Sequence, residues 1–330
     1  MTARVTSYEI KISAEHLALL IEMWVRAGFV YPHGIRDISI IRLALEDLIQ
    51  RGRIDVVRHF VERSHRELNS EVTDALFRMT SALPQGYDGR AFTEKHDPDA
   101  EFSLFEGQDN ADTLIVVFTG QVHRFNYPLP LVHGLLETTG CPILYLKDKS
   151  KSVFLEGIGD APSVADLTGR IRETMTRLNC RRTLVLGSSS GSFAALHYAH
   201  DIGASHLICL AGPTCIEPDD QRPPIQRLRQ ILERLNLDAD AVDPRLKHSG
   251  CRVRYYYGEA NARDSSYARH LAASGFAETI ALGGHENHVV LDALCAMGIF
   301  QTDLATAVAG KDFPDIADYP ALSPAHRRGE

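Results

Sequence analysis

Thr183–Ala199 reads TLVLGSSSGSFAALHYA, and it limits the fold more than any other stretch. A short β-branched and leucine run, Thr183–Leu186, breaks at Gly187-Ser188-Ser189-Ser190-Gly191 and passes at once into a small-residue, helix-forming run. A strand that turns sharply into a helix needs small residues on both sides of the turn, because strand and helix backbones must approach closely there. The expected result is a strained backbone at Ser189, with the helix N-terminus beneath its hydroxyl. A plain Ser/Gly loop, turning the chain or holding a phosphate, is the simpler alternative.

Two later segments add chemistry to this turn. Arg252–Tyr257 (RVRYYY) has strand composition and ends at Gly258, followed by Glu259-Ala260-Asn261-Ala262-Arg263-Asp264. Ala277–Leu282 is a second short strand, ending at Gly283-Gly284-His285-Glu286-Asn287-His288. A serine, an acid and a histidine thus fall in that chain order, each just past a strand, as in an α/β-hydrolase triad. A serine hydroxyl becomes a useful nucleophile when an imidazole removes its proton, and a buried carboxylate fixes that imidazole's tautomer.

The acid has three candidates on the residues alone: Glu259, Asn261 and Asp264. Asn261 is an amide and supplies no charge. Asp264 precedes an alanine-rich helix expected from about Ser265, which it could equally cap. The base has two candidates, His285 and His288. Ser189 is the one elbow serine with glycine at spacing two on both sides. The Ser190 N–H, directly after it, would point into an oxyanion hole. A second donor is expected from the loop after Thr113–Phe118, at the N–H of Gly120 or Gln121.

The rest of the chain supplies an α/β frame. Thr113–Phe118 (TLIVVF) is a continuous apolar run, as expected of a strand covered on both faces. Pro142–Leu146 and His206–Leu210 read as further strands, and Leu131–Thr138 and Val164–Leu178 as helices. Residues 1–100 are instead helical, with Ala14–Ala27, Ile38–Gln50 (capped by Asp37), Asp55–Arg63 and Ser70–Leu83 at helical spacing. They are expected to form a separate domain, with lone Trp24 in its core. Between the strand His206–Leu210 and the acid-bearing strand, Thr214–Gly250 breaks the rhythm with Asp219, Asp220, Pro223, Pro224 and an amphipathic helix, Gln226–Leu235. That is where a lid would be inserted. The hydrolase domain should span 101–311, and 312–330 should be a flexible tail.

Composition narrows the partners. The 330 residues are 44% hydrophobic and 24% charged, as in a globular protein, and the net charge of −8 with no basic stripe argues against nucleic acid. No apolar run reaches membrane-spanning length. The opening residues, MTARVTSYEIKIS, lack an apolar signal core, so a cytoplasmic location is expected. Six scattered cysteines without a CxxC pattern read as buried free thiols. No cofactor is called for. His285 and His288, at i and i+3, have no evident third partner for a metal.

From about residue 105 to 305 the chain resembles an α/β-hydrolase, within it a bacterial intracellular branch tied to polysaccharide or glycoconjugate biosynthesis. The resemblance rests on Asp148 with Gly157, Gly187–Gly191 with Ala194-Ala195, Tyr257-Gly258, Asn261, Asp264 with Ala268, and His288-Val289-Val290 with Leu294 and Gly298. Ser192 departs from it, standing where a second glycine is usual, as does Tyr267, where a second histidine is. The resemblance implies an α/β-hydrolase fold, a mostly parallel sheet flanked by helices, here with a helical N-terminal domain and a short lid. It turns the choice of acid to Asp264 and of base to His288. The implied function is a serine hydrolase acting on a carboxylic or acyl ester of a small molecule. An acyltransferase using the same acyl-enzyme, or a non-catalytic scaffold, is the alternative. The N-terminal helices would shape the site or pair two copies as a homo-oligomer.

Overall fold

The computed structural model describes residues 13–28, 37–108, 111–217 and 220–319. Asp219, the opening residues before Ser13 and the tail beyond Tyr319 lie outside them.

Helices open the chain because its apolar residues recur at helical spacing between clear caps. α1 (Ala14–Ala27) starts at Ser13, whose side chain accepts from the His16 N–H, and stops at Gly28 with φ +71°. α2 (Ile38–Gln50) is capped by Asp37, which accepts from the amides of Ser39 and Ile40. α3 (Ile54–Leu68), α4 (Glu71–Ser81) and the single turn α5 (Arg90–Lys95) follow.

The strands then alternate with helices. In chain order they are β1 (Phe102–Phe105), β2 (Thr113–Phe118), α6 (Leu129–Leu136), β3 (Ile143–Leu146), α7 (Val164–Arg177), β4 (Arg182–Ser188), α8 (Ser190–Ile202) and β5 (His206–Leu210). After these come α9 (Pro223–Leu235), β6 (Arg252–Gly258), α10 (Ala262–Ala272), β7 (Ala277–Leu282), α11 (Leu291–Ala296) and α12 (Ile299–Val308). They form one seven-stranded sheet in the order β1-β3-β2-β4-β5-β6-β7. Only β1 is antiparallel to its neighbour, with Phe102 opposite Leu146.

The pleat divides each strand between two cores. Ile115, Val117, Leu184, Leu186, Ile208, Leu210 and Tyr256 join the side chains of α1–α4, α6, α11 and α12 in one continuous cluster. Leu114, Val116, Phe118, Val185, Leu207, Cys209 and Tyr255 point the other way, into α7–α10. The N-terminal helices therefore share a core with one sheet face. Trp24 packs partly buried against it.

Three expectations change. β1 is a strand that the sequence reading did not separate from the preceding loop. α10 starts at Ala262, not near Ser265, because the Asn261 side chain caps it by accepting the Asp264 N–H at 3.2 Å. The chain from Asp312 to Tyr319 is docked, although a flexible tail was expected from 312. Arg254 is 1% exposed and needs acceptors. Asp303 at 2.7 Å, Glu278 at 2.6 Å, the Tyr319 hydroxyl at 2.7 Å and the Pro314 carbonyl supply them, and the Phe313 ring lies 4.6 Å below the guanidinium. Two of those oxygens and that ring come from the tail, so the tail is bound by a buried charge.

Candidate active site

The C-terminal ends of β4, β5, β6 and β7 converge on one cavity, where ligands of open α/β sheets bind. Ser189 sits between β4 and α8 with φ +53° and ψ −128°, a strained conformation for a residue with a side chain. The backbone around it enforces this. The Ser189 N–H donates to the Leu210 carbonyl at 3.1 Å, and its carbonyl accepts the Ser192 N–H at 2.9 Å. A Cβ at Gly191 would collide with the Phe118 carbonyl, and one at Gly212 with the Ser189 carbonyl. Gly212 also has φ +98°, so β5 ends in a turn only glycine adopts freely.

Asp264 lies in the first turn of α10 and is 1% exposed. The His288 Nδ1 is 3.0 Å from both of its carboxylate oxygens. One N–H facing two oxygens leaves Nε2 as the ring's free edge. The alternative acid and base are placed elsewhere. His285 turns its Nε2 to the Val289 carbonyl at 2.8 Å. Glu259, exposed, accepts the Gly284 N–H at 3.3 Å. Both pin the loop that carries His288, and neither contacts Asp264 or His288 through a hydrogen bond.

Ser189, Ser190, Gln121, Asp264 and His288 all line a cavity of about 340 Å³. Gly120 was expected as one of two alternative anion-binding donors. Its N–H is committed to the Arg124 carbonyl at 2.8 Å, closing the turn after β2. Gln121, one residue on, has no backbone partner for its N–H among the described residues. The far wall comes from Pro213 and from the segment expected as an insertion, through Arg222, Pro224 and Ile225. Tyr267 and Arg263 of α10 complete it.

A larger cavity, about 720 Å³, meets the first at His288 and is bordered by α2 and α4. Here the N-terminal helices reach the site. Arg124, in the loop after β2, pairs with Glu46 of α2 at 3.0 and 2.8 Å. Arg78 of α4 donates through Nε and Nη2 to Asp292 at 2.8 and 2.6 Å, just beyond His288. Asn126, at φ +59°, accepts the Val290 N–H at 3.3 Å. Burial, then the neighbouring Asp292 carboxylate, pushes the Tyr127 hydroxyl well above its ordinary range.

The remaining candidates have structural places. Asp148 is buried and accepts from the Ser150 and Ser152 hydroxyls and the Phe154 N–H, so it shapes the loop after β3. Ser192 is fully buried and does not line the cavity. The six cysteines are unpaired, and burial pushes the thiols of Cys215 and Cys251 up to about 11 and 12. No three His, Cys, Asp or Glu side chains converge as a metal-ligand set among the described residues. No helix among them is long and apolar enough to cross a membrane.

The sequence reading missed Arg78, Asp292, Arg222 and Gly212. A pair 214 residues apart, Arg78 and Asp292, leaves no local signal. Gly212 was findable, since Ala211-Gly212-Pro213 closes a strand beside the elbow.

No protein-family model matches the sequence, and no curated protein matches it. Solved structures do match. The 2,6-dihydroxy-pseudo-oxynicotine hydrolase is 14% identical, with a TM-score of 0.50 over 91% of this chain and 96% of that one. MenH from S. aureus is 14% identical, with a TM-score of 0.42 over 61% of this chain and 97% of that one. A glycosylation-associated protein complex from Streptococcus agalactiae is 13% identical, with a TM-score of 0.44 over 66% of this chain and 46% of that one.

Proposed function

The chain has an α/β-hydrolase fold, and on that premise we propose that it is a serine hydrolase of carboxylic or acyl esters. The observation that carries this is the Asp264–His288 hydrogen bond opening onto the same cavity as the strained Ser189. Ser189 Oγ attacks the ester carbonyl carbon while His288 Nε2 takes its proton. The Ser190 and Gln121 amides stabilise the negative charge on the carbonyl oxygen. The C–O bond to the alcohol breaks, and the alcohol leaves with the proton from His288. Water, deprotonated by His288, then releases the acid and restores Ser189. Asp264 holds the imidazole tautomer and its positive charge throughout. No step calls for a cofactor.

The Thr214–Gly250 segment serves as the lid of this cavity, and the reading is supported by Arg222, Pro224 and Ile225 in its wall. Labelling with a fluorophosphonate tests the nucleophile. Wild type and Ser190→Ala should label, while Ser189→Ala should not, yet stay folded. Labelling that survives Ser189→Ala overturns the assignment. Shortening the lid should alter the preference for acyl chain length more than it slows an activated acetate. An unaltered preference removes the lid from the reading.

A further inference from the structure

The cavity at Ser189 is lined by one guanidinium that no ion pair holds. Two guanidinium groups line it, Arg222 and Arg263. Arg222 is held by Asp220, with Nε 2.8 and 2.9 Å from the two carboxylate oxygens. The guanidinium of Arg222, and more weakly the charge of Arg263, holds the Asp220 carboxyl down to about 2. Two cations therefore share one carboxylate. Asp264 is the only acid in the cavity wall among the described residues, and it faces His288. Arg263 has no hydrogen-bond or ion-pair partner of its own among the described residues.

The backbone adds to this field. α8, α9 and α10 all begin at the cavity, at Ser190, Pro223 and Ala262. The N-terminus of each helix carries a partial positive charge. The free guanidinium stands out in a chain that carries a net −8. In the neighbouring cavity Arg124 and Arg78 are each answered by a carboxylate, Glu46 and Asp292.

We propose that the ester bound at Ser189 carries an anionic group, a carboxylate or a phosphate, and that Arg263 reads it. The inference rests on the serine-hydrolase reading of the same site. A planar guanidinium matches either anion through two parallel N–H donors. About 340 Å³ accommodates a short acid better than a long acyl chain. Arg222, tied to Asp220, lines the same wall and does not offer its full fork.

The test compares esters of matched length on the full chain: 4-nitrophenyl pentanoate, mono-4-nitrophenyl glutarate and the 4-phosphonobutyrate ester. Rates in Ser189→Ala are subtracted as background. Wild type should favour a charged ester by kcat/KM, and the better of the two identifies the anion. Arg263→Gln should reduce the charged-to-neutral ratio roughly 10–100-fold, the scale of a lost charged hydrogen bond. Arg263→Lys should recover part of the ratio. Arg269→Gln, which removes a charge from α10 outside the cavity, should leave it unchanged. A ratio near one in wild type, or one indifferent to Arg263→Gln, overturns the proposal while leaving the ester reading intact. If no ester turns over and Ser189 does not label, the hydrolase reading fails instead. Calorimetric binding of glutarate and inorganic phosphate then decides the anion question. A drop of at least about tenfold in affinity on Arg263→Gln supports it, and binding of neither anion overturns it.

Discussion

The segment carrying Ser189 is fixed by backbone. β4 is hydrogen-bonded on both sides, to β2 and β5, and Gly191 and Gly212 leave no room for another course of the chain. The segment carrying His288 lies beyond the last strand and has no sheet neighbour. It is held largely by side chains, among them Glu259, Asn261, Asp264, His285, Asn126 and the Arg78–Asp292 pair. Two of those ties, Asn126 and Arg78, reach it from outside β6–β7, and Arg78 reaches it from the N-terminal helices. The difference gives the N-terminal helices a role: they brace the proposed base, while the sheet and α8 brace the proposed nucleophile.

The largest expected effects separate the proposed acid and base from their neighbours. Asp264→Asn and His288→Gln should each lower kcat about 1,000–10,000-fold, the scale of losing a triad orienter or base. Glu259→Gln and His285→Gln loosen only the loop, so losses of about tenfold or less are expected. Equal losses at Glu259 and Asp264 would assign the acid to the wrong carboxylate.

Gly212→Ala and Arg78→Ala break the two kinds of brace. Gly212→Ala puts a methyl against the Ser189 carbonyl at φ +98°, so roughly 3 kcal/mol or more of stability should go, with activity. Arg78→Ala strands the buried Asp292 carboxylate, although Arg78 itself is 38% exposed and solvent softens the loss. About 1–3 kcal/mol is expected. Its signature should be kinetic, with slower fluorophosphonate labelling, a fall in kcat larger than the rise in KM, and partial recovery in Arg78→Lys. A variant that labels at the wild-type rate would show that the base needs no help from α4.

Acid should weaken the helical side of the molecule. His96, just past α5, and His133, on α6, stack around Phe92 and Phe105 at the seam with the sheet. Burial lowers both to about 4 from 6.5, with Lys147 adding to the effect at His96 and His96 at His133. The folded pKa values lie below the unfolded ones, so the unfolded chain binds more protons between them. Stability is thus intact above about 6.5 and lost as pH falls toward 4. His133, 7% exposed, accounts for about 2–3 kcal/mol and the half-buried His96 for less. Glu137, 3.6 Å from His133 and pushed up by burial, opposes the trend. Thermal melts of wild type and His133→Gln from pH 7 to 4 isolate the histidine, and the variant should show the shallower slope. Parallel slopes would defeat this account.

Much of the frame could be read from the chain because its signals are local. β2 and β7 fall on the apolar and β-branched runs that announce them, and α1 and α2 on their capping residues. Ser189 stood out as the candidate nucleophile because it directly follows a strand between two glycines, whereas Asp264 and His288 were preferred to Glu259 and His285 through the family resemblance. What escaped depends on distance. The Arg78–Asp292 tie joins residues that only the fold brings together, and β1 is four residues long with a register set by β3. The docked stretch to Tyr319 escaped for the same reason. Its prolines and charges look mobile until Arg254 is seen buried without enough acceptors.

The smallest predicted effect tests the backbone brace most directly. At φ +53° and ψ −128° a side chain is a steric cost, and at Ser189, which lines the cavity, that cost has little packing return. Ser189→Ala keeps the Cβ and so keeps the strain. Ser189→Gly removes it, at the expense of extra freedom in the unfolded chain. Strain of this kind is worth about 1–3 kcal/mol, and the added entropy offsets up to about 1 kcal/mol. Ser189→Gly should therefore be about 1 kcal/mol more stable than Ser189→Ala, reversing the usual order of the two residues, and neither should label. Urea melts of the pair measure this difference. A glycine variant less stable than the alanine one would mean that the elbow is relaxed, and that β4 and α8 do not hold Ser189 by force.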